Sequence, residues 1–173
     1  MNKTKSSRFN PHRIALMGLL LAAQIVLSRF CSISTWNIKI GFTFIPIVLS
    51  AGLFGPVGAG FLAALADFLG AILFPIGPYF PGFTATQFFV GVVFGLLLQN
   101  QQNMGRIVLA VFITQVFGSL LIDSYWISVL YGSPYAALLA TRAIQCAVMC
   151  ALEIVVLPVL CHRLMPKMKS VTL

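Results

Sequence analysis

The 173 residues are 60% hydrophobic and 8% charged, with a mean hydropathy of +1.00. That balance leaves a water-soluble globule without enough polar surface and points to lipid as the solvent. The formal charge of +8 does not indicate a nucleic-acid surface, because the cations sit at the chain ends and between apolar runs rather than in a cluster.

In chain order, apolar runs bounded by Gly, Pro and charge predict six spans, roughly 13–30, 38–53, 56–74, 83–99, 106–129 and 137–161. The expected fold is an all-α integral membrane protein. It is one domain over 1–173, a six-helix transmembrane bundle with a polar pocket toward the extracellular side. Each crossing of the ~30 Å hydrocarbon core takes about 20 residues, so no soluble domain fits in what remains.

Before the first run stand Lys3, Lys5, Arg8 and Arg13, which resemble the start of a secretory signal. No small-x-small cleavage site follows, and Arg29 and Phe30 precede Cys31 where a lipoprotein site needs small residues, so the run is read as the first span. Gly52-Leu53-Phe54-Gly55-Pro56 predicts a tight turn between the second and third spans, with Gly ending one helix and Pro opening the next. Pro75-Ile76-Gly77-Pro78-Tyr79-Phe80-Pro81-Gly82 breaks any helix, and its aromatics suit a lid or the headgroup zone.

With six spans both termini share a side, which carries Lys3, Lys5, Arg8, Arg13, Arg106, Arg163, Lys167 and Lys169, against Arg29, Lys39 and Arg142 opposite. The positive-inside bias then predicts cytoplasmic termini in a multi-pass protein of the cell membrane.

Intramembrane charges need partners or a wet cavity, since each costs about 2.5–3.5 kcal/mol at the bilayer centre. Asp67, Asp123 and Glu153 are the only acids. Asp67 lies about 10 Å before the outer end of its span, and Asp123 is similarly placed. Polar residues extend these positions into helical stripes. Gln115, Ser119, Asp123 and Trp126 form one; Thr84, Gln87, Gly91 and Gly95 form another; Gly60, Asp67, Gly70 and Phe74 form a third; Arg142, Gln145 and Met149 begin a fourth. Asp67, Asp123, Trp126, Arg142 and Arg29 are together read as a polar ligand cavity in the outer half. Glu153 is placed too near the cytoplasm to belong and is read as structural or partner-facing.

No Gly precedes a Lys, so a phosphate loop is absent, as are nucleophile elbows and HExxH. Cys31, Cys146, Cys150 and Cys161 form no CxxC and no zinc signature. The expectation is a binding subunit, a facilitator or a gradient-driven transporter, without enzymatic activity, cofactor or metal.

The runs Leu27-Ser28-Arg29-Phe30, Leu53-Phe54-Gly55-Pro56, Ala64-Leu65-Ala66-Asp67-Phe68-Leu69-Gly70-Ala71 and Phe74 to Thr84, with Trp126 to Gly132 and Arg142, resemble the folate-specific substrate-binding (S) components of energy-coupling factor (ECF) transporters. GPYFPGFT is the most specific element.

The resemblance implies a six-helix component that captures a vitamin outside, docks on a transmembrane T subunit with two ATPase subunits, and topples to release its load inward. The family's first helix usually carries Ala-x-x-x-Ala for docking; Gly18 and Ala22 stand at those positions. Folate's chemistry matches the inventory. Asp67 or Asp123 would accept the pterin's paired N–H groups, Trp126, Phe74, Tyr79 and Phe80 would supply ring faces, and Arg29, Lys39 or Arg142 would meet the glutamate tail. Charge-assisted hydrogen bonds contribute about 1.5–3 kcal/mol each, so three or four plus ring burial reach nanomolar affinity, near −12 kcal/mol. The rivals are an S component for thiamine, riboflavin or a pyrimidine precursor, and a stand-alone membrane transporter.

Overall fold

A computed structural model describes residues 11–35 and 38–164. Its elements are α1 (Pro11–Arg29), β1 (Ser32–Ser34), β2 (Lys39–Gly41), α2 (Phe44–Leu73), α3 (Pro81–Leu98), α4 (Met104–Ile113), a π-helical segment (Thr114–Asp123), α5 (Ser124–Tyr131) and α6 (Tyr135–Val159), with a π turn at Leu160–Leu164. Because α4, the π segment and α5 run on as one rod, five helices among the described residues are long and apolar enough to cross a membrane. Lys3, Lys5, Arg8, Lys167 and Lys169, on which the orientation argument draws, lie outside the described residues.

The expected spans 38–53 and 56–74 are not separate: they are joined in α2. No loop divides them, since the break is one residue wide. Gly55 adopts φ 77°, ψ −174°, a conformation that glycine alone reaches without strain, and Pro56 restarts the helix without an N–H to satisfy. The chain folds back here. Thr43, just before α2, and Asp67 line one small polar niche with Lys39 and Gln87, whereas a straight helix would hold positions 43 and 67 roughly 36 Å apart.

Helix also stops short of the expected start at 38. Lys39–Gly41 pairs antiparallel with Ser32–Ser34, in register Ser32↔Gly41, Ile33↔Ile40 and Ser34↔Lys39. The Thr35 N–H donates to the Ile38 carbonyl at 2.8 Å across the turn. This small hairpin is the one departure from the expected all-α fold among the described residues.

The second arm of α2 packs tightly on α3 because small residues let the backbones meet. A Cβ on Gly91 would stand 2.6 Å from the Ala59 carbonyl oxygen, and one on Gly95 would run into the Pro56 backbone. Such close approach is what holds helices together where lipid supplies no hydrophobic drive. Around the Gly55 end the interior is apolar, with Val48, Phe94, Leu98, Ile107, Val111 and Leu157 fully enclosed. Large apolar side chains such as Leu19, Phe61, Leu96, Ile144 and Val155 point outward, as a lipid-facing surface requires. The apolar plug leaves the opposite end, where the hairpin and the 74–80 loop lie, to the polar residues.

Candidate functional site

At that end the helices enclose a cavity of about 470 Å³, within the range of small-molecule sites. All three acids of the chain line it, together with three cations, Arg29, Lys39 and Arg142.

Arg29 is the last residue of α1, and its side chain bends over α2. A Cβ on Gly70 would lie 3.0 Å from Arg29 Nε, so the missing side chain makes room for the guanidinium. Arg29 Nε is buried with no acceptor among the described residues. Lys39 is brought in by β2. Its Nζ donates to Ser28 Oγ at 2.7 Å, and its carbonyl accepts from Gln145 Nε2 at 2.8 Å, so the hairpin is tied to both α1 and α6. Burial pushes the Lys39 ammonium below its ordinary range and the neighbouring Arg29 cation adds to this, while Asp67 and Asp123 oppose it.

Asp67, on the second arm of α2, accepts from Thr84 Oγ1 at 2.9 Å through Oδ2. The same hydroxyl lies 3.2 Å from the Tyr79 hydroxyl, so the 74–80 loop is fastened to the rim. Across the cavity Arg142 Nη2 stands 4.0 Å from Asp123 Oδ2, and it donates to the Ser119 carbonyl at 3.0 Å and to Ser119 Oγ at 3.2 Å. Asp123 Oδ1 is buried without a donor among the described residues.

Of the residues expected at the site, Arg29, Lys39, Asp67, Tyr79, Phe80, Asp123 and Arg142 come together on one wall or another of this cavity. Phe74 and Trp126 do not line it. Phe74 is 44% exposed and meets Phe30 edge-on at 5.3 Å. Trp126 stands behind the wall, its Nε1 donating to Thr86 Oγ1 at 3.2 Å and its ring 5.5 Å from that of Phe80. It supports Phe80 rather than offering a face to the cavity.

Glu153 corrects the sequence reading, which set it apart from the pocket. It is 2% exposed and lines the cavity, with Oε1 accepting from Gln115 Nε2 at 2.6 Å. The signal was present in the spacing. Arg142, Gln145 and Met149 follow one face of α6, and one more step of four reaches Glu153, so all four line the cavity. Gln87, Gln115 and Gln145, seen in the polar stripes but not assigned to the site, line it as well.

Gly18 and Ala22 lie elsewhere. Both are exposed on α1, and a Cβ on Gly18 would meet nothing within 4 Å, so neither packs inside the described bundle.

Residues 12–161 match the model of a family described as ECF transporter, substrate-specific component. A folate transporter FolT of Clostridium novyi (strain NT) is 38% identical over 142 residues, covering 82% of this chain and 83% of the relative. A second folate transporter FolT, from Leuconostoc mesenteroides, is 23% identical over 154 residues, covering 85% and 83%. Among solved structures, a crystal structure of FolT bound with folic acid matches with a TM-score of 0.86 and 34% identity, covering 90% of this chain and 98% of that one.

Proposed function

The chain belongs to the substrate-specific components of ECF transporters, and from that premise we propose that it is the folate-capturing subunit of an ATP-driven uptake system. It is a multi-pass membrane protein and not an enzyme. The observation that carries the folate reading is that three cations, three carboxylates and the rings of Tyr79 and Phe80 all line one cavity. Folate has a flat, N–H-bearing pterin at one end and a doubly anionic glutamate at the other, and such a lining offers acceptors to the first and cations to the second. The relatives named for folate, one of them crystallised with folic acid, support the same substrate.

The two arms of α2 count as two crossings in this reading, giving six in all with both termini in the cytoplasm and the cavity open to the outside. The bare Gly18 and Ala22 face of α1 is the docking surface for a transmembrane T subunit, which carries two ATPase subunits. The protein resides in the cell membrane.

The test is the ligand that copurifies with the detergent-solubilised chain, released by acid and identified by mass spectrometry. A folate is the expected result. Thiamine, riboflavin or a pyrimidine precursor recovered in stoichiometric amount would replace folate as the substrate.

A further inference from the structure

The cavity's three carboxylates are not equivalent. Asp123 also has a buried oxygen, Oδ1, without a donor among the described residues, but it faces the Arg142 cation at 4.0 Å. Asp67 accepts from Thr84 and shares a face of α2 with Gly70, over which the Arg29 guanidinium rests. Glu153 has neither arrangement: Oε1 takes a hydrogen from the neutral amide of Gln115, and Oε2 is buried with no donor among the described residues. A buried carboxylate oxygen without a donor is costly to keep, and here it belongs to a side chain on the cavity wall.

Its depth is also distinctive. Arg142 lies seven residues into α6 from Tyr135 and Glu153 lies eleven residues further, which is about 16 Å along the axis. The three cations gather at the end near the hairpin, and Glu153 with Gln115 forms the opposite floor. Met149, one turn before Glu153, and the apolar Ile47 and Phe94 also line the cavity, giving a flat ring apolar contact beside the acceptor.

We infer that Glu153, oriented by Gln115, is the specificity-determining residue that receives the paired N–H donors of the ligand's 2-amino-4-oxopyrimidine edge, with the anionic tail directed to the cation-rich mouth. The inference rests on the folate reading above. A carboxylate offers two coplanar acceptors to two adjacent N–H groups, and a site built to hydrogen-bond such an edge rejects an analogue lacking it because its own buried acceptor is then left unpaired.

The experiment measures folic acid, a 2-desamino folate analogue, pteroic acid and p-aminobenzoylglutamate on the purified full chain and on Glu153→Gln, by calorimetry or by competition. On the unaltered chain, the 2-desamino analogue is expected to bind about 30-fold more weakly than folic acid, which is about 2 kcal/mol. Glu153→Gln should weaken folic acid and pteroic acid by a similar factor and leave p-aminobenzoylglutamate within about threefold, and it should shrink the 2-desamino penalty to about threefold or less. Equal affinity of the unaltered chain for folic acid and the 2-desamino analogue overturns the inference, and this comparison needs no variant to fold. So does a Glu153→Gln protein that keeps the full penalty, or one that loses all four ligands alike. Folic acid binding that is tight but indifferent to the 2-amino group sinks only this inference. No folic acid binding by the unaltered chain removes the folate reading itself.

Discussion

The two faces of α1 differ in what they meet: one turns into the bundle and reaches the cavity, the other lies open on the outside. One face turns Leu20, Gln24, Ile25 and Ser28 into the bundle and ends at Arg29 on the cavity wall. The other places Ile14, Gly18, Ala22 and Val26 at steps of four on the outside, all exposed. The inward face mixes apolar Leu20 and Ile25 with polar Gln24 and Ser28, and Ser28 meets Lys39 beside the cavity. The outward face is apolar and locally bare because it meets lipid or another helix, and small side chains there admit a close approach that lipid tails alone do not need. Under the proposed docking role, one helix would serve two functions through opposite faces, and substitutions on the two faces should have different consequences.

The largest effect should come from Gly18→Leu combined with Ala22→Leu. Added bulk at Gly18 meets nothing within the protein, so folate affinity should stay within about threefold, under roughly 0.7 kcal/mol. Uptake by cells supplying the T subunit and ATPases should be abolished. Loss of folate binding or of thermal stability together with uptake would mean that the two faces are not independent. On the inward side, Arg29→Ala should weaken folic acid by about 1.5–3 kcal/mol and pteroic acid, which lacks the glutamate, much less. Equal losses in parallel titrations would make Arg29 a contact to the ring system instead. A smaller change is expected from Ser28→Ala. It removes the hydroxyl that holds Lys39 Nζ at 2.7 Å, and should cost about 1 kcal/mol of folic acid affinity while leaving uptake at saturating folate unchanged.

Much of this arrangement could be read from the residues. Gly55-Pro56 marks a turn because a positive-φ glycine and a donorless proline suit a break between helices, and the α3 and α6 boundaries fall within two residues of expectation. The charged members of the cavity were legible because membrane helices carry charge only where something receives it. The failures have physical causes. Glu153 was excluded for its depth, although its stripe on α6 continued to it and the cavity reaches that far down. The Trp126 position assumed an unbroken α-helix. Gln115, Ser119 and Asp123 keep one face through the π segment, but the step of three to Trp126 crosses its junction with α5, and the ring turns to Thr86. The β1–β2 hairpin escaped because strands of three residues carry too short an alternation to see, and it is the element that brings Lys39 to the cavity.

The central claim is that the cavity formed by α1, β2, α2, the 74–80 loop, α3, the π segment, α5 and α6 binds folate in the solitary chain. Calorimetric titration of the purified protein with folic acid, thiamine and riboflavin tests it most directly. The account predicts a saturable folic acid isotherm with nanomolar affinity, about −12 kcal/mol, and no saturable heat from the other two. A clear thiamine or riboflavin isotherm beside a flat folic acid trace would contradict it.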